Sequence, residues 1–294
     1  MGIEADPSPH LAQYANANKL VTNAWLGAKL GTPGLKVIES NEDSMLYDIG
    51  HIPTAIRLNW KQELSDQIHR DVIGITDFTA MMEEKGISRS DTVVIYGNHA
   101  NLWAIYTLWI FELFGHPDVR LLDGGRDAWM QEEREISYSV PTLPASTYSV
   151  NQRDDAADRI FVDELRERLD DIQIIDLREP EDFAGQEQGR GAIGTGGIPT
   201  ARTGHIPGAI NLDTNACLLP NSRFATTEHL KRIHEHLDPN KTTVVYCVDG
   251  GRAAQHWFIL KHLLGWKDVR VYDGSWIEWG NMMRVPIERG AGQE

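Results

Sequence analysis

The chain has 294 residues, 41% of them hydrophobic, which is enough for two domains with separate cores. Its net charge of −15, without any Lys/Arg block, argues against nucleic acid or an anionic membrane as the main partner. Its two cysteines are typical of a reducing cytoplasm, provide no disulfide framework and cannot make a zinc site from cysteines, and no His/Cys spacing suggests a mixed one. The sequence opens without a basic and apolar leader and has no run of membrane-spanning length, so we expect a cytoplasmic protein.

Composition divides the chain into four segments. Residues 1–18 are small and polar and predict an N-terminal arm or a mobile segment. Residues 19–137 are assigned to a first domain and residues 159–294 to a second. Residues 138–158 are rich in Ser, Pro, Thr, Asn and Asp and lack helical periodicity, which is typical of a linker.

The second domain has a clear alternation of predicted elements. Amphipathic runs predict a helix over 226–237, capped by Thr226 or Thr227, and another over 253–264, ended by Gly265. Short apolar runs predict strands at 172–176, 209–212, 243–246 and 269–272. This alternation indicates an α/β fold with a mostly parallel sheet and helices on both faces.

The two halves of the chain repeat one pattern. Three blocks recur in the same order and at a nearly constant offset, so a chance match is improbable and we infer two homologous domains. The matching segments are 50–58 with 204–212, 92–96 with 242–246, and 118–125 with 268–275.

The most informative stretch follows the strand at 243–246. Cys247 ends that apolar run, and Gly250, Gly251 and Arg252 lead into the next helix. The thiol is thus predicted at the carboxyl end of a strand and facing a helix N-terminus, where amide N–H groups and the helix dipole favour an anion. We therefore expect a depressed pKa for Cys247 and a nucleophilic role.

The first half has no such thiol. In the repeat, Gly97 falls opposite Cys247, and the loop that follows it contains no arginine. We therefore expect the first domain to be catalytically inactive.

These residues together resemble the tandem-domain rhodaneses, which are sulfurtransferases of the thiosulfate:cyanide type. The resemblance covers nearly the whole chain and implies two rhodanese-like domains, the second with a persulfide-forming cysteine. The motifs that carry it are Gly-His-Ile-Pro at 50–53 and 204–207, Asp-x-Arg-Glu-Pro at 176–180, the six-residue loop 247–252, and Tyr-Asp-Gly-Ser at 272–275.

The resemblance implies a mechanism. Cys247 would take the outer sulfur of thiosulfate, release sulfite, and pass the sulfur to a thiophilic acceptor such as cyanide or a thiol. The amides of residues 248–252, and so Val248 and Asp249, would surround the sulfur, with glycines allowing close approach. Arg190 would lie at the pocket mouth. No metal or organic cofactor is implied, the partners are small molecules, and a monomer is expected.

The loop leaves alternatives open. Members of the thiosulfate type usually carry a basic residue after the cysteine, whereas this chain has Val248 and Asp249. A 3-mercaptopyruvate sulfurtransferase and a low-turnover sulfur-carrier or redox-sensing module are the alternatives. A phosphatase of the same fold is disfavoured, because Cys247 to Arg252 is Cys-x4-Arg and phosphatases use the longer Cys-x5-Arg.

Other residues have structural interpretations. Asp176 and Arg178 at a strand end predict an ion pair that shapes the loop neighbourhood. His51 and His205 follow glycine at a turn and are interpreted as holding that turn by hydrogen bonds. Cys217 is interpreted as a core residue, with a resolving thiol as the alternative.

Overall fold

A computed structural model describes residues 2–41, 45–150, 152–186 and 200–290. The chain divides into two compact units. The first comprises Met1–Asp154 with Leu218–Phe224, and the second comprises Asp155–Cys217 with Ala225–Glu294. Within the described ranges, none of the helices has the length and apolar composition needed to cross a bilayer.

The first unit is built on a five-stranded parallel sheet with strand order β1-β7-β6-β2-β3. Its central strand, β6, is buried along its whole length. The strands are β1 (Leu20–Val21), β2 (Leu35–Asn41), β3 (Ile56–Asn59), β6 (Thr92–Tyr96) and β7 (Val119–Leu122), and a separate antiparallel pair is formed by β4 (Ser65–Asp66) and β5 (Asp71–Val72). The helices are α1 (Asn23–Lys29), α2 (Met45–Asp48), α3 (Trp60–Glu63), α4 (Ile75–Glu84), α5 (Leu102–Leu113) and α6 (Gly125–Gln131).

The second unit has a four-stranded parallel sheet with order β11-β10-β8-β9. The strands are β8 (Gln173–Asp176), β9 (Ala209–Asn211), β10 (Thr243–Tyr246) and β11 (Val269–Val271). The helices are α7 (Val162–Glu167), α8 (Pro180–Ala184), α9 (Thr227–Ile233), α10 (Gly251–Phe258), which continues as a π-helix (Ile259–Leu263), and α11 (Ser275–Trp279). Parallel sheets flanked by helices confirm the predicted fold class.

Element boundaries in the second unit are close to those predicted. Thr226 caps α9 by accepting a hydrogen bond from the backbone N–H of His229, but this helix ends at Ile233, four residues before the predicted 237. Gly265 adopts a left-handed φ of 77° just past the π-helix, which is the backbone conformation expected where a helix ends.

The duplication extends to individual hydrogen bonds. His51 and His205 each stack on an aromatic ring, of Tyr47 and Phe183 respectively, and each places Nδ1 within 2.9 Å of that residue's carbonyl oxygen. Both histidines also exchange backbone hydrogen bonds with a distant segment, with Ser137 in one case and Glu288 in the other. Both therefore hold their turns, in agreement with the structural interpretation.

The N-terminal segment is packed against the first unit. The carboxylate of Asp6 accepts hydrogen bonds from the amide and hydroxyl of Thr22, and Arg120 donates to the carbonyl oxygens of Ile3 and Glu4. Leu11 is buried. These contacts favour the predicted arm over the alternative of a mobile segment, and the boundary at residue 18 stays a prediction.

Asp123 is a buried carboxyl group at the carboxyl end of β7. It accepts a hydrogen bond from the amide of Phe224 at 3.2 Å, and that residue belongs to the same unit. Burial raises the pKa of Asp123 to about 6, although this hydrogen bond and the charge of Arg223 oppose the rise. Relative to the unfolded chain, folding therefore favours the neutral acid over the carboxylate.

This carboxyl predicts a pH-dependent stability. The folded pKa of about 6 exceeds the unfolded value of about 3.9. The stability gained by keeping Asp123 protonated is therefore fully present below about pH 4 and is lost as the pH rises through 6. An Asp123→Asn variant keeps an acceptor for Phe224 but never ionises. Its stability relative to the native chain should therefore rise by about 2 kcal/mol between pH 4.5 and pH 8.

Urea unfolding at three pH values measures this difference. Asp163→Asn is the matched control, because the side chain of Asp163 is 89% exposed and its removal should give a difference independent of pH. A constant difference for Asp123→Asn as well would show that Asp123 ionises normally in the folded protein.

Candidate functional site

The Cys247 loop leaves the carboxyl end of β10. Tyr246 is the last strand residue, Cys247 to Gly250 form the turn, and α10 begins at Gly251. Gly250 has a φ of 98°, so it is the residue that lets the chain turn tightly into the helix. The amide of Gly250 donates to Cys247 Sγ at 3.2 Å, and Arg252 lies in the first turn of α10.

The loop is docked onto the start of α11. The amide of Cys247 donates to Ser275 Oγ at 3.2 Å, and that hydroxyl donates to the carbonyl of Tyr272 at 2.8 Å. In the other direction, the carbonyl oxygen of Cys247 accepts from the amide of Trp276 at 3.1 Å. Hydrogen bonds at the N–H and at the C=O of Cys247 thus fix its backbone on both sides of the Cα atom.

Ser275 accepts the Cys247 amide from a strained backbone conformation of its own. Its φ is 54° and it is fully buried, whereas residues with a side chain rarely adopt a left-handed conformation. The corresponding residue of the first unit is Gly125, whose φ is 53°. The second unit therefore has a serine where the backbone favours glycine, and the hydroxyl that results is the acceptor for the Cys247 amide.

A buried ion pair lies beneath the loop. Arg178 binds Asp176 with Nη2 to Oδ2 at 2.5 Å, and both side chains are almost completely buried. The Tyr246 hydroxyl donates to the same carboxylate and accepts from the amide of Ile206 at 3.1 Å. The predicted Asp176–Arg178 pair is thus present, and Tyr246 joins it to the end of β10.

Arg252 is paired with the neighbouring strand end. Its Nη1 donates to Glu179 Oε1 at 2.8 Å and to the carbonyl oxygen of Leu177 at 3.3 Å. Both charged side chains are partly exposed, so the pair adds little stability of its own. Its role in this structure is to brace α10 against the segment that follows β8.

The pKa expected for Cys247 is wrong in direction. Three amides, those of Ala253, Asp249 and Gly250, do lower the pKa of the thiol, as the loop geometry predicts. Burial raises the pKa and is the largest effect, and the negative charge of Asp249 raises it further. The resting cysteine is therefore a neutral thiol, because loss of water around Sγ outweighs the loop dipoles.

The other predicted site residues are placed less uniformly. Val248 is buried, and its carbonyl oxygen accepts from the amide of Ile277 at 3.1 Å. Asp249 is half-buried, with Oδ1 3.9 Å from Cys247 Sγ. Gly251 is buried as the first residue of α10. Arg190 lies outside the described residues.

The loop of the first unit is closed around Gly97. A Cβ at this position would lie 2.6 Å from the carbonyl oxygen of Ser40, so a cysteine does not fit without a backbone shift. The amide of Gly97 donates to Asn101 Oδ1 at 2.9 Å. These contacts support the expected inactivity of the first domain, which stays a prediction.

Comparison with known proteins identifies the family. The profile of the Rhodanese-like domain matches twice, at residues 22–132 and 161–282. The chain belongs to the rhodanese family. The predicted tandem arrangement is thereby confirmed, since the two matches fall one in each half of the chain.

Relatives of similar length carry sulfurtransferase names. A thiosulfate sulfurtransferase of Corynebacterium glutamicum is 52% identical over 99% of this chain and 97% of its own length. A putative thiosulfate sulfurtransferase, SseA, of Mycobacterium bovis is 48% identical over the same shares. The sulfur carrier protein TtuD of Thermus thermophilus is 38% identical over 94% of this chain and 99% of its own. This rhodanese is a sulfurtransferase enzyme.

Solved structures agree with the fold. YnjE has a TM-score of 0.80 at 24% identity, over 94% of this chain and 70% of that one. The anaerobic ergothioneine biosynthesis enzyme from Chlorobium limicola has a TM-score of 0.79 at 25% identity, over 94% and 71% of the two chains.

Two features of this rhodanese are not among those predicted from the sequence. Ser275 had a signal, because the internal alignment places it opposite Gly125 in an otherwise similar block. The second feature is a buried group formed by Cys217, His234 and His256, which lie on three separate elements. Their wide spacing along the chain gives no recognisable ligand motif.

Two substitutions separate the strain at Ser275 from its hydrogen bonds. Ser275→Ala and Ser275→Gly both leave the Cys247 amide without an acceptor, which should destabilise the protein by about 1–3 kcal/mol. The glycine variant should be the more stable of the two by about 1 kcal/mol, because it removes the side chain from a left-handed residue. Urea unfolding measures both differences.

The same pair tests whether Ser275 positions Cys247. The rate of sulfur transfer should fall in both variants, and by a similar factor, since each lacks the hydroxyl. Equal stability of the two variants would disprove the strain, and an unchanged transfer rate would disprove the positioning role.

Proposed function

We propose that the chain transfers sulfane sulfur from thiosulfate to a thiophilic acceptor through a persulfide on Cys247. The observation that carries this proposal is the position of Cys247 Sγ, which accepts an amide N–H from Gly250 at the start of α10. The thiosulfate sulfurtransferase of Corynebacterium glutamicum, 52% identical, supports the choice of donor.

Two displacements complete the reaction. In the first, Cys247 sulfur attacks the outer sulfur of thiosulfate, a new S–S bond forms, the S–S bond of thiosulfate breaks, and sulfite leaves with the bonding electrons. In the second, cyanide or a thiol attacks the outer sulfur of the persulfide and releases Cys247 as thiolate. Because the first product leaves before the acceptor reacts, ping-pong kinetics are expected.

The thiol proton must leave in the first step. Burial and Asp249 keep Cys247 protonated at rest, and Asp249 Oδ1 lies 3.9 Å from Sγ in the direction of the S–H donor. We propose that this proton passes through Asp249 to the departing sulfite or to water. The persulfide anion then remains next to the loop amides, which favour negative charge.

The Cys247 loop has few positive charges that could bind an anionic sulfur donor. Arg252 is the one basic residue of 247–252, and Glu179 neutralises part of its charge. Val248 and Asp249 provide none, and Asp249 repels a dianion. We therefore propose weak binding of thiosulfate, with 3-mercaptopyruvate, which has a single carboxylate, as the comparison donor.

A sulfur-carrier role is the second candidate. The relative from Thermus thermophilus is a sulfur carrier protein, and it is 38% identical over 94% of this chain. The loop that favours turnover also suits storage, because a buried persulfide held by amides is protected from small acceptors. We propose a cytoplasmic monomer for either role, since the composition indicates a reducing compartment.

Intact-protein mass tests the persulfide. After incubation with thiosulfate, the native chain should gain one sulfur atom, cyanide should remove it, and Cys247→Ala should gain none. Cys217→Ala is the matched control, because it removes the other thiol and should leave the added sulfur in place. Transfer by Cys247→Ala above about a tenth of the native rate would exclude Cys247 as nucleophile.

The two candidate functions and the two donors give different outcomes in this assay. Sulfur gained only from 3-mercaptopyruvate would overturn the choice of thiosulfate and keep the persulfide. A stable added sulfur that cyanide and small thiols do not remove would favour the carrier role.

Asp249→Asn tests the electrostatics of the loop. Removal of this negative charge should lower the pKa of Cys247, so alkylation of the thiol should begin at a lower pH, and the KM for thiosulfate should fall several-fold. The measurements are iodoacetamide labelling of residue 247 against pH and steady-state kinetics. Asp163→Asn removes one exposed charge elsewhere and should change neither quantity.

The separate readouts locate the role of Asp249. A fall in KM together with a slower first step would show that Asp249 both repels the donor and carries the proton. If alkylation and KM both stay unchanged, the charge of Asp249 does not reach the thiol.

A further inference from the structure

Three metal-ligating side chains meet inside the second unit, apart from the Cys247 loop. Cys217 ends a short 3-10 helix (Thr214–Cys217), His234 follows α9, and His256 lies on α10. All three residues are buried, and one ligand atom of each lies within 4.8 Å of the other two. Over the described ranges this is the one group of three or more His, Cys, Asp or Glu residues with such geometry.

The hydrogen bonds of the two histidines orient their rings. His234 Nδ1 lies 2.7 Å from the carbonyl oxygen of Leu230, so it carries the proton and leaves the lone pair of Nε2 directed at His256. The two Nε2 atoms are 2.9 Å apart. A carbonyl that fixes the far nitrogen of a histidine is the usual outer-shell arrangement of a metal ligand.

His256 is not explained by hydrogen bonding alone. Its ring is completely buried, and none of the described residues forms a hydrogen bond with Nδ1. Buried polar atoms are normally paired, because an unpaired one loses its hydration without compensation. Hydrogen bonding therefore satisfies only one nitrogen of His256, and an ion bound through Nε2 would use that nitrogen and leave Nδ1 as it is.

The distances fit a common ion. Bonds of about 2.0–2.1 Å to nitrogen and about 2.3 Å to sulfur place ligand atoms roughly 3.3–4 Å from one another. The three ligand atoms lie within 4.8 Å of one another, so binding would bring any longer pair closer by up to about 1 Å and would separate the two Nε2 atoms, now 2.9 Å apart, by a few tenths of an ångström. Side-chain rotation is enough to provide that change.

Charge favours a monovalent occupant. Imidazole binds a metal ion as the neutral ring, so a bound Cys217 thiolate supplies the one negative charge of the ligand set. A monovalent ion makes the buried complex neutral, whereas a divalent ion leaves one uncompensated positive charge in the core. Thiolate and imidazole are also the ligands that suit Cu(I) and Zn(II).

We propose that Cys217, His234 and His256 form a buried three-ligand site for a thiophilic metal ion, with Cu(I) as the charge-matched occupant and Zn(II) as the divalent alternative. Binding replaces the S–H bond of Cys217 by a sulfur–metal bond, releases that proton to solvent, and changes no oxidation state. The ion would tie the 3-10 helix and the end of α9 to α10, the helix that starts at the Cys247 loop.

Metal retention by the full-length chain tests this site. The reduced chain is stripped with a chelator under nitrogen, offered Cu(I) or Zn(II) in separate arms against a competing chelator, desalted, and assayed for metal per chain. Cys247→Ser should retain one ion, and Cys217→Ser at least tenfold less, so that each variant controls for the other thiol. Retention of zinc in place of copper supports the site and overturns the charge argument.

X-ray absorption of the loaded Cys247→Ser protein gives a second test, because Cys217→Ser weakens a fully buried position and needs circular dichroism to verify its fold. One sulfur at about 2.2–2.3 Å and two nitrogens at about 2.0 Å are expected. Coordination by nitrogen and oxygen alone, no retained ion in either arm, or equal retention by a folded Cys217→Ser chain would each overturn the proposal.

Discussion

The buried hydroxyl of one tyrosine determines the position of the candidate site through its two hydrogen bonds. Tyr246 ends β10, an interior strand of its sheet, donates to Asp176, and accepts from the amide of Ile206 in the Gly-His-Ile-Pro turn. Since the hydroxyl is buried, these bonds are expensive to break, and both partners are held at the carboxyl edge of the sheet. The cysteine is the next residue, so its position follows from that of the tyrosine.

The same arrangement exists in the first unit. Tyr96 donates to Glu39 and accepts from the amide of Ile52, and Glu39 is paired with Arg126. Burial raises the pKa of Glu39, while its hydrogen bond from Tyr96 and the charge of Arg126 lower it. The two units thus share this tyrosine–carboxylate arrangement, although one has glycine at residue 97 and the other has cysteine at residue 247. The shared hydrogen bonds are therefore a feature of the fold before they are a feature of the site.

The sequence predicts local and periodic features well. The strand at 243–246, the turn after it and the start of α10 follow from an apolar run, two glycines and an amphipathic run, and the internal repeat predicts two similar domains. The direction of the Cys247 pKa is not predictable in this way, because it depends on burial by residues distant in sequence. The Cys217, His234 and His256 cluster is hidden for the same reason, since three elements contribute one residue each.

The two units close their loops by different means. In the first unit, the amide of Gly97 is capped by the side chain of Asn101, and His99, Ala100 and Asn101 all adopt left-handed backbone conformations. In the second unit, the amide of Cys247 is capped from outside the loop by Ser275. With the cap outside the loop, the amides of Asp249 and Gly250 are directed to the sulfur, whereas in the first unit a residue of the loop itself provides the cap. The non-glycine residues with left-handed backbone differ in the same way. Three of them lie within the first loop, whereas Ser275 lies beside the second loop. The two loops therefore differ in where the capping group comes from, as well as in the presence of a cysteine.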